Sequence, residues 1–313
     1  SGTFQQGKKQ RPERPGAPCG PPPSTGRGAA GWAGSTARQA VSALATRYLE
    51  GVARTMKLTI ERAALLKSLG HVQSVVERRN TIPILSNVLI EAKGDRVSLT
   101  ATDMDLAIVE HTAAEVAGAG AATVPAHMLY DIVRKLPEGA QVQLELAGDG
   151  SQVAIKAGRS RFTLQTLPKE DFPSTASGDL PHRFPLSAVD LRSLIDHTRF
   201  AISTEETRYY LNGIYLHAHS SGKQQALRAV ATDGHRLARV EMPLPEGAEK
   251  IPGVIVPRKM VGEVRKLLEE VDGAVEVSLS DTRVRFAFDD TVLTSKLIDG
   301  TFPDYQRVIP ANN

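Results

Sequence analysis

Apolar residues recur at helical spacing in four stretches of the chain. In 61–77 the stripe is Leu65, Leu66, Leu69, Val72 and Val76, and in 126–136 it is Met128, Leu129, Ile132, Val133 and Leu136. In 187–202 it is Leu191, Leu194, Ile195 and Ile202, and in 258–271 it is Met260, Val261, Val264, Leu267, Leu268 and Val271. This i, i+3/i+4, i+7 pattern predicts four amphipathic helices, each laid on a sheet. Pro125 and Pro257 stand just before two of them, where a missing N–H costs little, and Ser187 is placed to cap a third. Elsewhere the period drops to two. Val142, Leu144 and Leu146, then Val153 and Ile155, predict strands with one buried face, and Lys93-Gly94-Asp95 and Gly148-Asp149-Gly150 supply hairpin turns.

The pattern also repeats. Ala101-Thr102-Asp103 recurs as Ala231-Thr232-Asp233 after 130 residues, and Val124-Pro125 as Val256-Pro257 after 132. Phe172-Pro173 recurs as Phe302-Pro303 after 130, and Asn87 matches Asn212 at 125. Ordered matches at near-constant offset imply a duplication. The polar stretch Thr175–Asp179 marks the boundary, giving one copy over 56–178, a second over 179–305, and 306–313 as the way out of the second. A fainter repeat inside each copy makes every half-copy one helix plus three or four antiparallel strands. The fold class is therefore α+β: tandem domains, each with two helices packed on antiparallel sheets.

Composition changes the picture at the N-terminus. The whole chain carries 38 Lys+Arg against 35 Asp+Glu over 313 residues. Residues 1–55 hold eight of the basic and two of the acidic residues, which leaves 30 basic and 33 acidic residues, a net of −3, in 56–313. The same segment is rich in Gly and Pro and poor in large apolar side chains, so it is expected to be a disordered basic extension, with 37–54 able to form a short amphipathic helix. Met56, just before KLTIE, reads as the beginning of the fold. The single cysteine, Cys19, excludes a disulfide framework and a Cys-based zinc site, and no apolar run is long enough to span a membrane as a helix. A cytoplasmic protein is the expectation.

Candidate chemistry is sparse. Asp103 with Asp105, and Asp233 with His235, sit where a metal-dependent hydrolase could hold its ion; an Asx-type turn at a strand end is the competing reading and the favoured one. No G-x-S-x-G elbow, Walker A sequence or G-x-G-x-x-G follows a strand. His217 and His219 share a strand face without a third ligand and read as surface histidines. No catalytic residue, metal or cofactor is expected. The polar faces of the four helices are more telling. They carry Lys67, His71, Arg78 and Arg79; His127, Arg134 and Lys135; Arg192, His197 and Arg199; and Arg258, Lys259, Arg265 and Lys266. Arg192 and Arg199, like Arg258 and Arg265, are seven apart and should point the same way. Four such helices in an otherwise acidic body could follow a phosphate backbone without reading bases.

With these residues in place, a resemblance emerges. RYYLNG (208–213), ATDGHRLA (231–238), VPRK (256–259), TSKLIDGTFPDY (294–305), TIPILSN (81–87) and GRSRF (158–162) closely resemble the bacterial beta sliding clamp family, the DNA polymerase III beta subunits. The resemblance covers 56–313 and leaves out 1–55. It implies a non-catalytic processivity factor of DNA replication, built as a ring-shaped dimer of three-domain protomers with helices lining the hole around duplex DNA. Such a factor can be classed with the DNA-directed DNA polymerase, a nucleotidyltransferase, that it serves. Arg79 matches a basic residue that touches DNA; the matching loop of the second copy is Thr204-Glu205-Glu206, which argues against a contact there. Leu211, Thr232, Gly234, His235, Arg236, Leu237, Pro303, Arg307 and Val308 match a pocket for short linear motifs of polymerases and the clamp loader. In that pocket Gly234 would let a peptide backbone approach. Arg159, Arg161 and Phe162 match the edge that meets the other protomer's third domain. On this resemblance the chain stops short of a third domain, so the expectation is a monomer or an aberrant association with weakened peptide binding. A non-encircling peptide-binding fragment is a further alternative.

Overall fold

The computed structural model describes residues 55–174, 178–222 and 224–310. The extension 1–54, its helix at 37–54, the centre of the boundary stretch and the last three residues lie outside the described residues. The first copy runs β1 (Lys57–Glu61), α1 (Arg62–Val75), β2 (Asn87–Lys93), β3 (Arg96–Thr102), β4 (Leu106–Ala113), β5 (Glu115–Gly118), β6 (Gly120–Pro125), α2 (Ala126–Lys135), β7 (Gln141–Leu146), β8 (Gln152–Ala157) and β9 (Ser160–Gln165). The second runs β10 (His182–Ser187), α3 (Ala188–Asp196), β11 (Gly213–Ser221), β12 (Gln224–Thr232), β13 (Leu237–Pro243), β14 (Val254–Pro257), α4 (Arg258–Leu267), β15 (Ala274–Leu279), β16 (Arg283–Ala287) and β17 (Thr291–Lys296).

Among the described residues every strand pairing is antiparallel, in three sheets: β5-β1-β7-β8-β9, then β10-β15-β16-β17-β4-β3-β2-β6, then β13-β12-β11-β14. The eight-stranded sheet is a splice between the copies. Its β17 pairs with β4 from Thr291↔Glu110 to Ser295↔Leu106, so the sheet of one copy continues into the other. The two-residue period is obeyed: Val142, Leu144, Val153 and Ile155 are all buried, and Gly94 and Gly150 take the left-handed φ their hairpins need. The helices lay most of their stripes on this sheet core, but Met128, expected in the stripe of α2, is exposed, because the buried face of that helix centres on Ala126, Leu129 and Val133. Leu129 on α2 is completely buried, and cutting it to Ala should cost about 3 kcal/mol.

The helix starts follow the sequence reading more closely than the ends. Ser187 caps α3 by accepting from the Asp190 amide at 3.0 Å, and Pro125 and Pro257 occupy the caps of α2 and α4. The stripe at 187–202, however, is not one helix. α3 stops at Asp196, Thr198 turns its hydroxyl onto the Leu194 carbonyl at 2.6 Å, and a separate 3-10 turn covers Arg199–Ala201. Ile202 is still buried, so apolar spacing persists after the backbone has changed direction. In consequence Arg192 and Arg199 do not lie along one helix. α4 likewise ends at Leu267, short of Val271. The match of Asn87 with Asn212 is also one position out of register. Asn87 pairs with Pro125, whereas Gly213 pairs with Pro257, so Leu89 is the counterpart of Tyr215 and Glu91 of His217.

Candidate functional site

The turns after β3 and β12 are the same object. Asp103 Oδ1 accepts from the amides of Asp105 (2.9 Å) and Leu106 (2.7 Å); Asp233 Oδ1 accepts from those of His235 (2.9 Å) and Arg236 (3.0 Å). Thr102 and Thr232 each close the turn with one hydroxyl, which donates to the Leu106 or Arg236 carbonyl and accepts from the Met104 or Gly234 amide. The Asx reading of both motifs is thus what the backbone forms. The amides of Arg236 and His235, with the Arg236 guanidinium, pull the Asp233 carboxyl down to about 2. Among the described residues no group of three or more His, Cys, Asp or Glu is placed to hold a metal ion, and the hydrolase reading gains no support.

Around the second turn an apolar cluster forms. Leu211, Val230, Ile255, Phe302 and Tyr305 are buried together, with Tyr210, Tyr215, Leu237, Ile298 and Ile309 packed against them. Leu211 comes from the 3-10 segment Glu206–Leu211, Leu237 from the start of β13, and Phe302 and Tyr305 from the segment after β17. Pro303, Arg307 and Val308 stand out from that segment, Val308 at 68% exposure. Thr232, Gly234, His235 and Arg236 form the rim. Sequence reasoning missed two rim residues. Arg208 donates to the Asp233 carbonyl at 3.4 Å, and its Nη1 lies 2.7 Å from where a Cβ on Gly234 would be. Phe200, 55% exposed, lies 5.8 Å under the Arg236 guanidinium. Arg208 was visible as the first residue of RYYLNG; Phe200 had no signal, because it follows a helix that ends early.

His217 is not a surface histidine. It is half-buried, its Nδ1 donates to the Ala218 carbonyl at 2.9 Å, and its Nε2 lies 3.1 Å from the Tyr305 hydroxyl. Burial pushes its pKa down, with Arg228 and His219 adding to that. His219 is also only partly exposed, with its ring 6.4 Å from that of His217.

The basic residues divide into two groups. Arg78, Arg79, Lys135 and Arg258 are exposed, and among the described residues none has a carboxylate within 4.0 Å. The others are engaged. Arg192 donates to the Leu268 carbonyl at the C-terminus of α4, as Arg62 on α1 donates to the Arg134 (2.8 Å) and Val133 (3.2 Å) carbonyls at the end of α2. A cation there neutralises the negative end of the helix dipole. Arg265 bridges to Asp196 at 2.8 Å, which raises the arginine and lowers the aspartate, and Arg199 meets the same carboxylate at 3.3 Å. Lys67 pairs with Glu270 at 2.9 Å, and Arg134 with Asp131 at 3.4 Å. Seven-residue spacing therefore does not make Arg192 or Arg265 free phosphate ligands: α3 and α4 use them to hold each other.

A charged row crosses the splice. Buried Glu110 on β4 accepts from Thr291 and lies 3.2 Å from His71 Nδ1; His71 Nε2 lies 3.3 Å from Glu270 of the second copy. Ser74 donates to Glu263 at 2.5 Å, and Lys259 reaches Asp103 at 2.5 Å and Glu77 at 3.2 Å. At the opposite end of the first copy, Arg159 precedes β9 and Arg161 and Phe162 lie on it. This strand is an outer edge of its sheet, and Phe162 borders a depression with Met128, Ile132 and Leu136.

Comparison with known proteins gives a consistent answer. Residues 56–176 match the family model described as DNA polymerase III beta subunit, N-terminal domain, and 186–304 match that of its central domain. The beta sliding clamp of Caulobacter vibrioides NA1000 is 60% identical over 258 residues, which are 82% of this chain and 69% of the relative. That of Escherichia coli K12 is 40% identical over 260 residues, with the same coverage. Among solved structures, a Caulobacter crescentus beta sliding clamp with polyethylene glycol bound superposes with a TM-score of 0.82 at 59% identity, covering 83% of this chain and 69% of the other. A Bartonella birtlesii sliding clamp bound to griselimycin gives 0.80 at 56% identity with the same coverage. Among the described residues no helix is long and apolar enough to cross a membrane.

Proposed function

Because the chain belongs to the DNA polymerase III beta-subunit family, the bacterial sliding clamps, we propose how its residues divide the work of a DNA replication processivity clamp. The division between copies falls at 178/179. Duplex DNA passes the helices, contacted without sequence preference by Arg78, Arg79, Lys135 and Arg258, whose exposure and lack of ion pairs among the described residues support that role. Few and weak phosphate contacts suit a protein that must slide, and they fit a body of net charge −3. Lys67, Arg134, Arg192, Arg199 and Arg265 act mainly as struts.

Linear motifs of the replicative polymerase, the clamp loader and other polymerases dock at Leu211, Thr232, Gly234, His235, Arg236, Leu237, Pro303, Arg307 and Val308, with Arg208 over the glycine. An apolar cleft beside a residue without a side chain is what an extended peptide with Leu/Phe anchors needs. The β9 edge, with Arg159, Arg161 and Phe162, is the edge that meets the third domain of a second protomer in the family's homodimeric ring. The protein is non-catalytic, needs no cofactor and works in the cytoplasm. The observation that carries this reading is the ordered fit of two consecutive domains of one clamp family onto the two copies. Joined to the third domain of a relative, and with a clamp loader and ATP present, the chain should be retained on nicked circular DNA and lost when the circle is linearised. Equal retention on both forms would refute encirclement.

A further inference from the structure

We propose that three residues behind the peptide pocket, Tyr305, His217 and Arg228, position the pocket's outer wall and so set peptide affinity without touching the peptide. The inference rests on the pocket reading given above. It starts from an alternation in the segment after β17. Phe302 and Tyr305 are buried against the sheet, whereas Pro303, Arg307 and Val308 are exposed, so two anchors hold a stretch that displays three recognition residues.

Both anchors are seated on one row of rings. Tyr215 on β11 stacks on Phe302 at 4.8 Å between centroids and on His217 at 4.7 Å. His217 then meets Tyr305. Its Nδ1–H donates to the Ala218 carbonyl, which leaves Nε2 as the acceptor in the neutral ring, so the Tyr305 hydroxyl donates to it at 3.1 Å. Arg228 on β12 donates to the same hydroxyl oxygen at 3.3 Å, and Glu241 on β13 fixes Arg228 at 2.6 Å. The hydroxyl thus has one donor and one acceptor, and its position along the sheet is set from two strands.

The first copy lacks the device. In the pairing register Leu89 stands for Tyr215, Glu91 for His217 and Ser98 for Arg228; Phe172 clusters with Ile84, Leu85 and Leu89. The network accompanies the copy with the pocket, which a general requirement of the fold would not produce.

The groups facing His217 are Tyr215 and His219 on its own strand, Arg228 on β12, with Glu241 on β13 behind it, and Tyr305 from the segment. Burial first, and then the Arg228 charge, hold it neutral near pH 7. In acid, protonated Nε2 no longer accepts, and the Tyr305 hydroxyl faces two cations.

The test is fluorescence anisotropy of a labelled peptide bearing a Leu/Phe anchor pair, titrated with the full chain between pH 5 and 8. Tyr305→Phe keeps the ring and removes the hydroxyl; His217→Phe keeps the stack and removes the acceptor. Each should weaken binding about three- to ten-fold at pH 7.5, the range of one hydrogen bond. The double variant should lose no more than either single one, and the acid-side decline of the parent should be flattened in both. Leu211→Ala, within the pocket itself, is the reference. Binding lost in Leu211→Ala but retained at parental strength and parental pH profile in the two ring variants overturns this inference alone. Unchanged binding in all three overturns the pocket reading and the inference with it.

Discussion

In the first copy the turn from Thr102 to Ala107, and in the second the turn from Thr232 to Leu237, are closed by the same side-chain hydrogen bonds. They are nonetheless put to different use. Met104 occupies, at φ 79°, the position that Gly234 occupies at φ 90°. Met104 itself is exposed, but the carboxylates on either side of it are engaged by the junction: Asp103 holds Lys259, Asp105 holds Lys296, and β4 is zipped to β17. Around Gly234 the neighbours are Arg208 and the exposed Phe200, and β13 forms an outer edge of its sheet. One turn is built into the joint between the copies, and the other is, on the proposed reading, the rim of a peptide site. Duplication supplied the scaffold twice; the residues at the turn tip and behind it separate the roles.

The joint can be broken first. Glu110→Ala leaves His71 and Thr291 without their buried carboxylate, and should cost about 3 kcal/mol in urea denaturation. A loss below about 0.5 kcal/mol would mean that the β4–β17 ladder carries the junction alone. The second change erases the difference at the turn tip. Gly234→Met should fold normally, since Met104 adopts the same backbone, but its side chain displaces Arg208. Peptide affinity should fall about 100-fold by anisotropy. Near-parental binding would mean that the tip is not part of the site.

A smaller effect tests the joint's dependence on pH. Burial disfavours the His71 imidazolium, but Glu110 and Glu270 outweigh it and raise its pKa. Both carboxylates only accept, so only the charged ring donates to both. The stabilisation is therefore complete below the ordinary histidine value and is lost as pH rises through the folded-state value. His71→Gln should be less stable than the parent by about 1 kcal/mol at low pH, with the gap closing as pH rises; a gap that widens would reverse the assignment. Last, Met104→Gly removes a left-handed methionine but frees the unfolded chain. The thermal midpoint should move by no more than about 1 kcal/mol-equivalent, and no peptide binding should appear at that turn.

Much of this was legible in the sequence, though unevenly. The duplication shows as short motifs matched at a near-constant offset, and the Asx turns, the Ser187 cap and the proline starts are local, written in a few adjacent residues. Helix ends were not: Ile202 keeps helical spacing after Thr198 has turned the chain. Nor were the partners of Arg192, Arg265 and Lys259, which lie 76, 69 and 156 residues away and exist only because the copies and helices pack. Thus the basic helix faces overstated the number of exposed cations without a carboxylate partner among the described residues. The proposed pocket rests on resemblance, and the row of rings behind it was invisible because His217 read as a strand histidine with no third ligand.

Hydrogen exchange on the chain with and without the Leu/Phe-anchor peptide compares the two turns in one experiment. If the second turn is the peptide rim, protection increases over 208–211, 232–237 and 302–308 and does not change over 102–107. Protection at 102–107, or at neither turn, would contradict that reading.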